Sequence, residues 1–126
     1  TLGMVTVLKN VVPMINGAIA RAGLERRVVS VRTLDLPVLE LQDRDKLMAN
    51  LYTECKKAVE EDGVSVLIMG CTGIIGVTEE MTARLKADGY EGPVLEAAQC
   101  AVTLTELYAR MGLFQSRQTY MEPPEK

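Results

Sequence analysis

Cys71 has the richest chemistry within reach. It stands in Gly70-Cys71-Thr72-Gly73, directly after the apolar run Val64 to Met69 (VSVLIM). Gly70 and Gly73 let the backbone come close to a ligand. The turn is expected to lead toward the N-terminus of the next helix, where backbone N–H groups favour negative charge and hence the thiolate form of a cysteine. The amides of Thr72 and Gly73 are placed to receive an oxyanion or a carboxylate. Two other readings stay open. Cys71 can be a small apolar side chain packed at a strand end. Gly70, Gly73 and Gly76 can form a phosphate cradle, although G-x-x-G-x-x-G is neither the dinucleotide fingerprint nor a Walker A, and no G-K-[ST] follows.

The remaining candidates are weaker. Cys55 falls on the apolar stripe of a helix and is expected in the core. Cys100, near the start of the last helix, is expected to be packed as well. The three cysteines lack C-x-x-C spacing, which argues against a zinc site; no metal is expected. Arg32, Asp35 and Glu40 follow a strand and could face a ligand crevice, but such residues are more often loop charges or surface pairs. The group Asp43, Arg44, Asp45, Lys46 reads as a solvated helix start with acids favoured by the dipole. Thr6, near the carboxyl end of the first strand, can either bond a substrate or simply pack. The chain contains no histidine, which excludes Ser-His-Asp and Cys-His machinery within these residues. Acid and base work must fall to Cys, Asp, Glu, Lys or Tyr.

The elements that position these residues follow from pattern. Gly3 to Lys9 reads as a strand. Asn10 is placed to cap a helix with Pro13 in its first turn and Met14, Ile15, Ala18 and Ile19 on its inner face, ending at Gly23. Arg27 to Arg32 is a second strand, and Thr33 to Gln42, with Pro37, an irregular extended loop. Asp43 opens a helix whose stripe is Leu47, Met48, Leu51, Cys55, Ala58 and Val59. Val64 to Met69 has the continuous apolar character of a strand buried on both faces. Thr78 is placed to cap a third helix, with Met81 and Leu85 inward and Gly89 past its end. Val94 to Ala97 is a short strand. The last helix spans Ala98 to Met111, with Ala101, Leu104, Tyr108 and Met111 on one face, and Gly112 stops it. This β-α-β-α-β-α-β-α order predicts an α/β fold: a four-stranded parallel sheet flanked by helices. Ligands of such sheets bind beyond the carboxyl ends of the strands. Residues 1–112 are expected to form one α/β lobe, and 113–126 a tail, loose or draped on a partner surface, that ends in Pro123-Pro124.

Composition narrows the function class. The chain has 126 residues, 48% hydrophobic and 25% charged, enough for one core without disulfide staples. A net charge of -3 with no basic run argues against nucleic acid. With no tryptophan, one phenylalanine and four tyrosines, base stacking on a single strand is poorly served. No stretch is long and apolar enough for a bilayer, and no signal peptide is evident. Three cysteines without close pairing point to a reducing compartment, so a cytoplasmic location is expected. Thr1 is not an initiator methionine and the first strand starts almost at once, as expected of a processed chain or a piece of a longer one.

Three stretches together resemble the aspartate/glutamate/hydantoin racemase superfamily. Val64 to Gly73 (VSVLIMGCTG) resembles its apolar strand and cysteine turn. Ser30 to Leu41 (SVRTLDLPVLEL) resembles the arginine-bearing segment of the hydantoin racemase branch. Gly92 to Val102 and Met111 to Pro124 resemble that branch's C-terminus. The likeness covers nearly the whole chain but one half of the family's architecture, which has two similar, flavodoxin-like α/β lobes with the active site between them. The resemblance implies a cofactor-independent racemase in which two cysteines, one from each lobe, face opposite sides of the substrate's α-carbon. Cys71 matches the second, C-terminal cysteine, and Thr72 and Gly73 match backbone contacts to substrate. Thr6 matches the first residue of a threonine pair; Val7 replaces the second. Position 100 is usually small and apolar in the family, so Cys100 is not the partner thiol.

The expected function is therefore racemisation at the α-carbon of 5-substituted hydantoins or related amino-acid derivatives. No cofactor is expected. The expected partners are a small-molecule substrate and a missing N-terminal lobe carrying the second cysteine. The final helix, 98–112, is expected to pack on that lobe, and an uncovered lobe surface favours homo-oligomers. The isolated fragment is expected to be inactive. The alternatives are an aspartate/glutamate-type racemase, a related decarboxylase or isomerase, a non-catalytic module binding a small anion at Gly70–Gly73, and a flavodoxin-like nucleotide binder.

Overall fold

Leu2–Thr6 forms β1, Val28–Thr33 β2, Val66–Met69 β3 and Val94–Glu96 β4. Between and after them run α1 (Val12–Arg21), α2 (Arg44–Glu60), α3 (Thr78–Ala87) and α4 (Ala97–Arg110). This computed structural model describes residues 1–123; the last three residues of the expected tail, with Pro124, lie outside the described residues. All strand pairings are parallel, in the order β2-β1-β3-β4. The expected alternation and parallel sheet are thus both present. The chain crosses from β1 to β2 on one side and returns to β3 on the other, so β1/β3 is the topological switch point of the sheet.

Right-handed crossovers place α2 and α3 on one face and α1 on the other. The core lies under α2 and α3. It joins Val5, Leu67 and Met69 of the sheet to Leu47, Met48, Leu51, Cys55 and Ala58 of α2 and to Met81 and Leu85 of α3. Each large apolar side chain buried there contributes about 1.5–3 kcal/mol. The other face is more open. Ile15 and Ile19 of α1 are buried, but Met14 and Ala18, expected inward, are exposed because α1 covers only part of that face. β3 is correspondingly not buried on both faces: Leu67 and Met69 are fully buried, while Val66 and Ile68 are half-buried.

Several helix ends differ from expectation. Lys9–Val11 forms a short 3-10 turn, so Asn10 lies inside a turn and caps nothing; Val11 takes the cap position and Pro13 follows in the first turn. Val77, not Thr78, precedes α3, and no side chain caps that end. Asp43 does cap α2, its Oδ1 accepting from the Lys46 N–H at 3.1 Å. In the segment read as irregular, Thr33 still belongs to β2 and Val38–Gln42 forms a 3-10 turn. At the end of α3, Gly89 has φ +89°, and the Tyr90 and Gly89 N–H groups close back onto Leu85 and Lys86 carbonyls. That left-handed position favours glycine.

α4 stands apart. No residue in it is buried, and Val102, Tyr108, Met111 and Phe114 are all exposed. Cys100 is exposed too, contrary to the expectation of packing, because no element among the described residues covers α4. No helix of the described residues is long and apolar enough to cross a membrane.

Candidate active site

The thiol turn is built at the switch point. Val5 of β1 pairs with Met69 of β3, and the Gly70 N–H continues the ladder onto the Val5 carbonyl at 2.8 Å. Thr6 therefore ends β1 beside Gly70, the first residue after β3, and Cys71 follows it. A side chain at position 70 would collide with Met4, whose Cγ lies 2.6 Å from where the added carbon would stand. Gly70 thus answers a packing demand at the strand end.

Cys71 is half-buried and packs against the edge of the core. Its carbonyl accepts from the Ile74 N–H at 3.0 Å, which folds 71–74 into a turn. Its Sγ accepts from the Gly73 N–H at 3.4 Å. That is the one hydrogen bond on the sulfur among the described residues. The helix expected after the turn starts only at Thr78, so the loop 70–77 separates the thiol from it. Ile74 and Val77 are fully buried and anchor the loop, while Thr72, Gly73 and Ile75 face outward.

Of the expected site residues, Cys71, Thr72 and Gly73 form one turn, and Thr6 lies at the neighbouring strand end. Thr6 is 2% exposed, and its carbonyl accepts from the Leu34 N–H at 2.9 Å. Val7, where the family threonine would be, is buried in the core. Leu41 borders the turn: a carbon added at Gly73 would lie 3.4 Å from Leu41 Cδ1 and 3.6 Å from Cys71 Sγ. The segment after β2 thus reaches across to the thiol.

The other charged candidates are engaged elsewhere. Arg32 points to the α2 side, where Nε and Nη2 donate to Asp62 at 2.6 and 2.8 Å and Nη2 donates to Glu61 at 2.7 Å. The hydrogen bond to Asp62 raises the guanidinium pKa despite its partial desolvation. The same bond, joined by one from Ser30, holds the Asp62 carboxyl below its ordinary value. Asp35, at φ +51°, pairs with Lys9 at 2.6 Å and accepts from Thr33 Oγ1 at 2.9 Å. Its carboxyl is lowered by the Lys9 hydrogen bond first and Thr33 second. Glu40 is paired with Lys46. Cys55 is fully buried in the core as expected, and desolvation pushes its thiol up to about 12. Among the described residues no group of three or more His, Cys, Asp or Glu is placed to hold a metal ion.

Sequence reasoning missed the residues that hold the far end of the loop. Glu96, last in β4, accepts from the Gly76 N–H at 2.8 Å, and Arg44 Nη2 donates to the Gly76 carbonyl at 3.1 Å. Only the glycine at position 76 was a signal, and it suggested a phosphate cradle. Its φ of +65° is a left-handed bend, and its N–H is taken by Glu96.

Comparison with known proteins gives a consistent picture. The Asp/Glu/Hydantoin racemase family model matches residues 1–105. A hydantoin racemase of Rhizobium meliloti is 32% identical over 95% of the chain and 48% of its own length. One from Paenarthrobacter aurescens is 26% identical over 100% of the chain and 52% of its own length. Among solved structures, allantoin racemase from Pseudomonas fluorescens superposes with a TM-score of 0.83 at 34% identity, covering 100% of the chain and 53% of that protein. The chain spans about half the length of the curated relatives it matches.

Proposed function

Since this chain belongs to the Asp/Glu/Hydantoin racemase family, we propose that Cys71 is one of two thiols that racemise a hydantoin-type ring at its α-carbon. The observation that carries the reading is the thiol turn itself: Cys71 at the β1/β3 switch point, with the Gly73 N–H on its sulfur. The relatives named for hydantoin and allantoin suggest the substrate class, a five-membered ring bearing a substituent at C5. The C5–H bond lies next to a ring carbonyl, so its electron pair can move into that carbonyl as the proton leaves.

In this reading the thiolate of Cys71 takes the proton from one face of C5. The C–H pair passes to the ring carbonyl oxygen as an enolate, and Cys71 becomes a thiol. A second thiol on the opposite face delivers its proton to C5 as the enolate collapses, giving the mirror-image ring. The reverse reaction exchanges the roles, and no cofactor takes part. Thiols suit the task because their ordinary pKa lies near the operating pH. The Thr72 amide is the donor for the developing oxyanion, and the Gly73 N–H joins it only on leaving the Cys71 sulfur it now bonds. Thr6, a substrate contact by the family pattern, is buried at the neighbouring strand end and reaches a substrate only if that end opens. The second thiol belongs to a lobe outside these residues, against which α4 and the tail pack, and 1–126 alone is inactive. We place the reaction in the cytoplasm.

The test uses the full-length protein that contains this chain. One enantiomer of a 5-substituted hydantoin, or of allantoin, is incubated in heavy water without added cofactor. Loss of optical rotation together with deuterium at C5 is expected. Cys71→Ser should abolish racemisation and retain exchange on one enantiomer only, through the surviving thiol. Full racemisation by that variant would remove Cys71 from the mechanism.

A further inference from the structure

The loop 70–77 has no regular structure, yet its far end is held by two long-range side-chain bonds. Gly76 gives its N–H to Glu96 Oε2 at 2.8 Å and receives Arg44 Nη2 on its carbonyl at 3.1 Å. Arg44 is itself tied to Glu80 of α3 at 3.3 Å. One peptide group is thereby fastened to the end of β4, the start of α2 and the first turns of α3. The near end of the loop is fixed by Gly70 on Val5 and by the 71–74 turn. The thiol and its Gly73 N–H donor belong to that turn, and the buried Ile74 and Val77 flank the clamped Gly76 peptide.

We propose that Glu96 and Arg44 are positioning residues for Cys71, acting through this clamp on the Gly76 peptide. The inference rests on the reading of Cys71 as the proton-transferring thiol. A left-handed residue in a loop, at φ +65°, has little local preference to stay there without outside bonds. Glu96 answers the N–H with a charged acceptor, the stronger kind of hydrogen bond. Release of either bond frees the Gly76 peptide between the buried anchors Ile74 and Val77, and strain passed through Ile74 shifts the 71–74 turn that carries the thiol and the Gly73 N–H. A misplacement of about 1 Å at a reaction centre costs on the order of 100-fold in rate.

Two measurements on the full-length protein decide the matter. One is steady-state racemisation; the other is hydrogen–deuterium exchange of the peptide spanning 70–77, which reads the clamp whether or not racemisation occurs. Glu96→Ala should lower kcat by roughly 10- to 100-fold with KM changed less than about 3-fold, and should speed exchange of the loop. Glu96→Gln keeps an amide oxygen for the Gly76 N–H and should restore both to within about 3-fold of the parent. Arg44 is well exposed, so Arg44→Ala should fold normally and give the same pattern more weakly; it carries the test if Glu96→Ala does not fold. An unchanged kcat or an unchanged exchange rate in these variants overturns the proposal. So does Glu96→Gln behaving like Glu96→Ala, since charge and not the hydrogen bond would then matter. If the parent protein racemises no hydantoin or allantoin, the reading of Cys71 fails, and accelerated loop exchange still reports the clamp separately.

Discussion

A methyl group at position 73 would stand 3.6 Å from Cys71 Sγ and 3.4 Å from Leu41 Cδ1. Gly73 has no positive φ, and its missing side chain leaves space beside the sulfur. Gly73→Ala should leave the fold intact, since the second distance asks Leu41 to yield only slightly. It should lower kcat/KM for hydantoin racemisation by about 10- to 100-fold, because the methyl fills the approach to the thiol. Parallel Tm and racemisation measurements check this; an unchanged kcat/KM would remove the steric role of Gly73. The thiol turn was legible in the sequence because glycines flank a cysteine after an apolar strand. The Glu96–Gly76 bond was not, since its partners lie 20 residues apart and meet only through sheet register. Cys100 is exposed among the described residues, since a place near the start of a helix does not say what covers it.

Between β2 and the end of α2, Arg32 gathers Asp62, Glu61 and, at 3.5 Å, Glu54, while Ser30 donates to Asp62 at 2.6 Å. Arg32 keeps a fifth of its side-chain surface exposed and Asp62 about a quarter, so these bonds are stronger than ordinary surface pairs. Arg32→Ala strands the Asp62 carboxylate and should cost about 1–3 kcal/mol at neutral pH, read as a lower urea midpoint. The pH sign follows from Asp62. Its folded pKa is lowered by Arg32 and then Ser30, so its stabilisation is present above the ordinary carboxylate pKa and is lost as pH falls through the lowered one. The gap between parent and Arg32→Ala should thus be full at pH 7 and shrink as pH drops below about 4. A gap that stays constant on acidification would show that the network adds packing and not charge. At this scale the sequence marked strands and helices well where apolar spacing was strong, as in α2. It failed at caps such as Asn10 and Thr78, where one turn of 3-10 structure or a shift of one residue changes which side chain meets a free N–H.

On the scale of the whole molecule, strict alternation of strands and helices was enough to predict the parallel sheet, but it said little about how evenly the two faces are covered. The face under α2 and α3 is closed. The opposite one leaves Ile68 half-buried and Leu95 38% exposed. Beyond β4 the imbalance grows: α4 buries none of its residues, and with the following segment it forms a hollow of about 480 Å³ lined by Tyr108, Leu113 and Phe114 among others. An apolar surface of this kind seldom stays in water on a stable monomer. If α4 and the tail pack on a second lobe, as proposed, then in the full-length protein the amides of α4 should exchange as slowly as those of α2. Residues 1–126 prepared alone should instead show fast exchange in α4 and concentration-dependent association in sedimentation velocity. Slow α4 exchange in the isolated chain at dilutions where it is monomeric would mean that α4 folds back on its own sheet, and the two-lobed reading would lose its structural support.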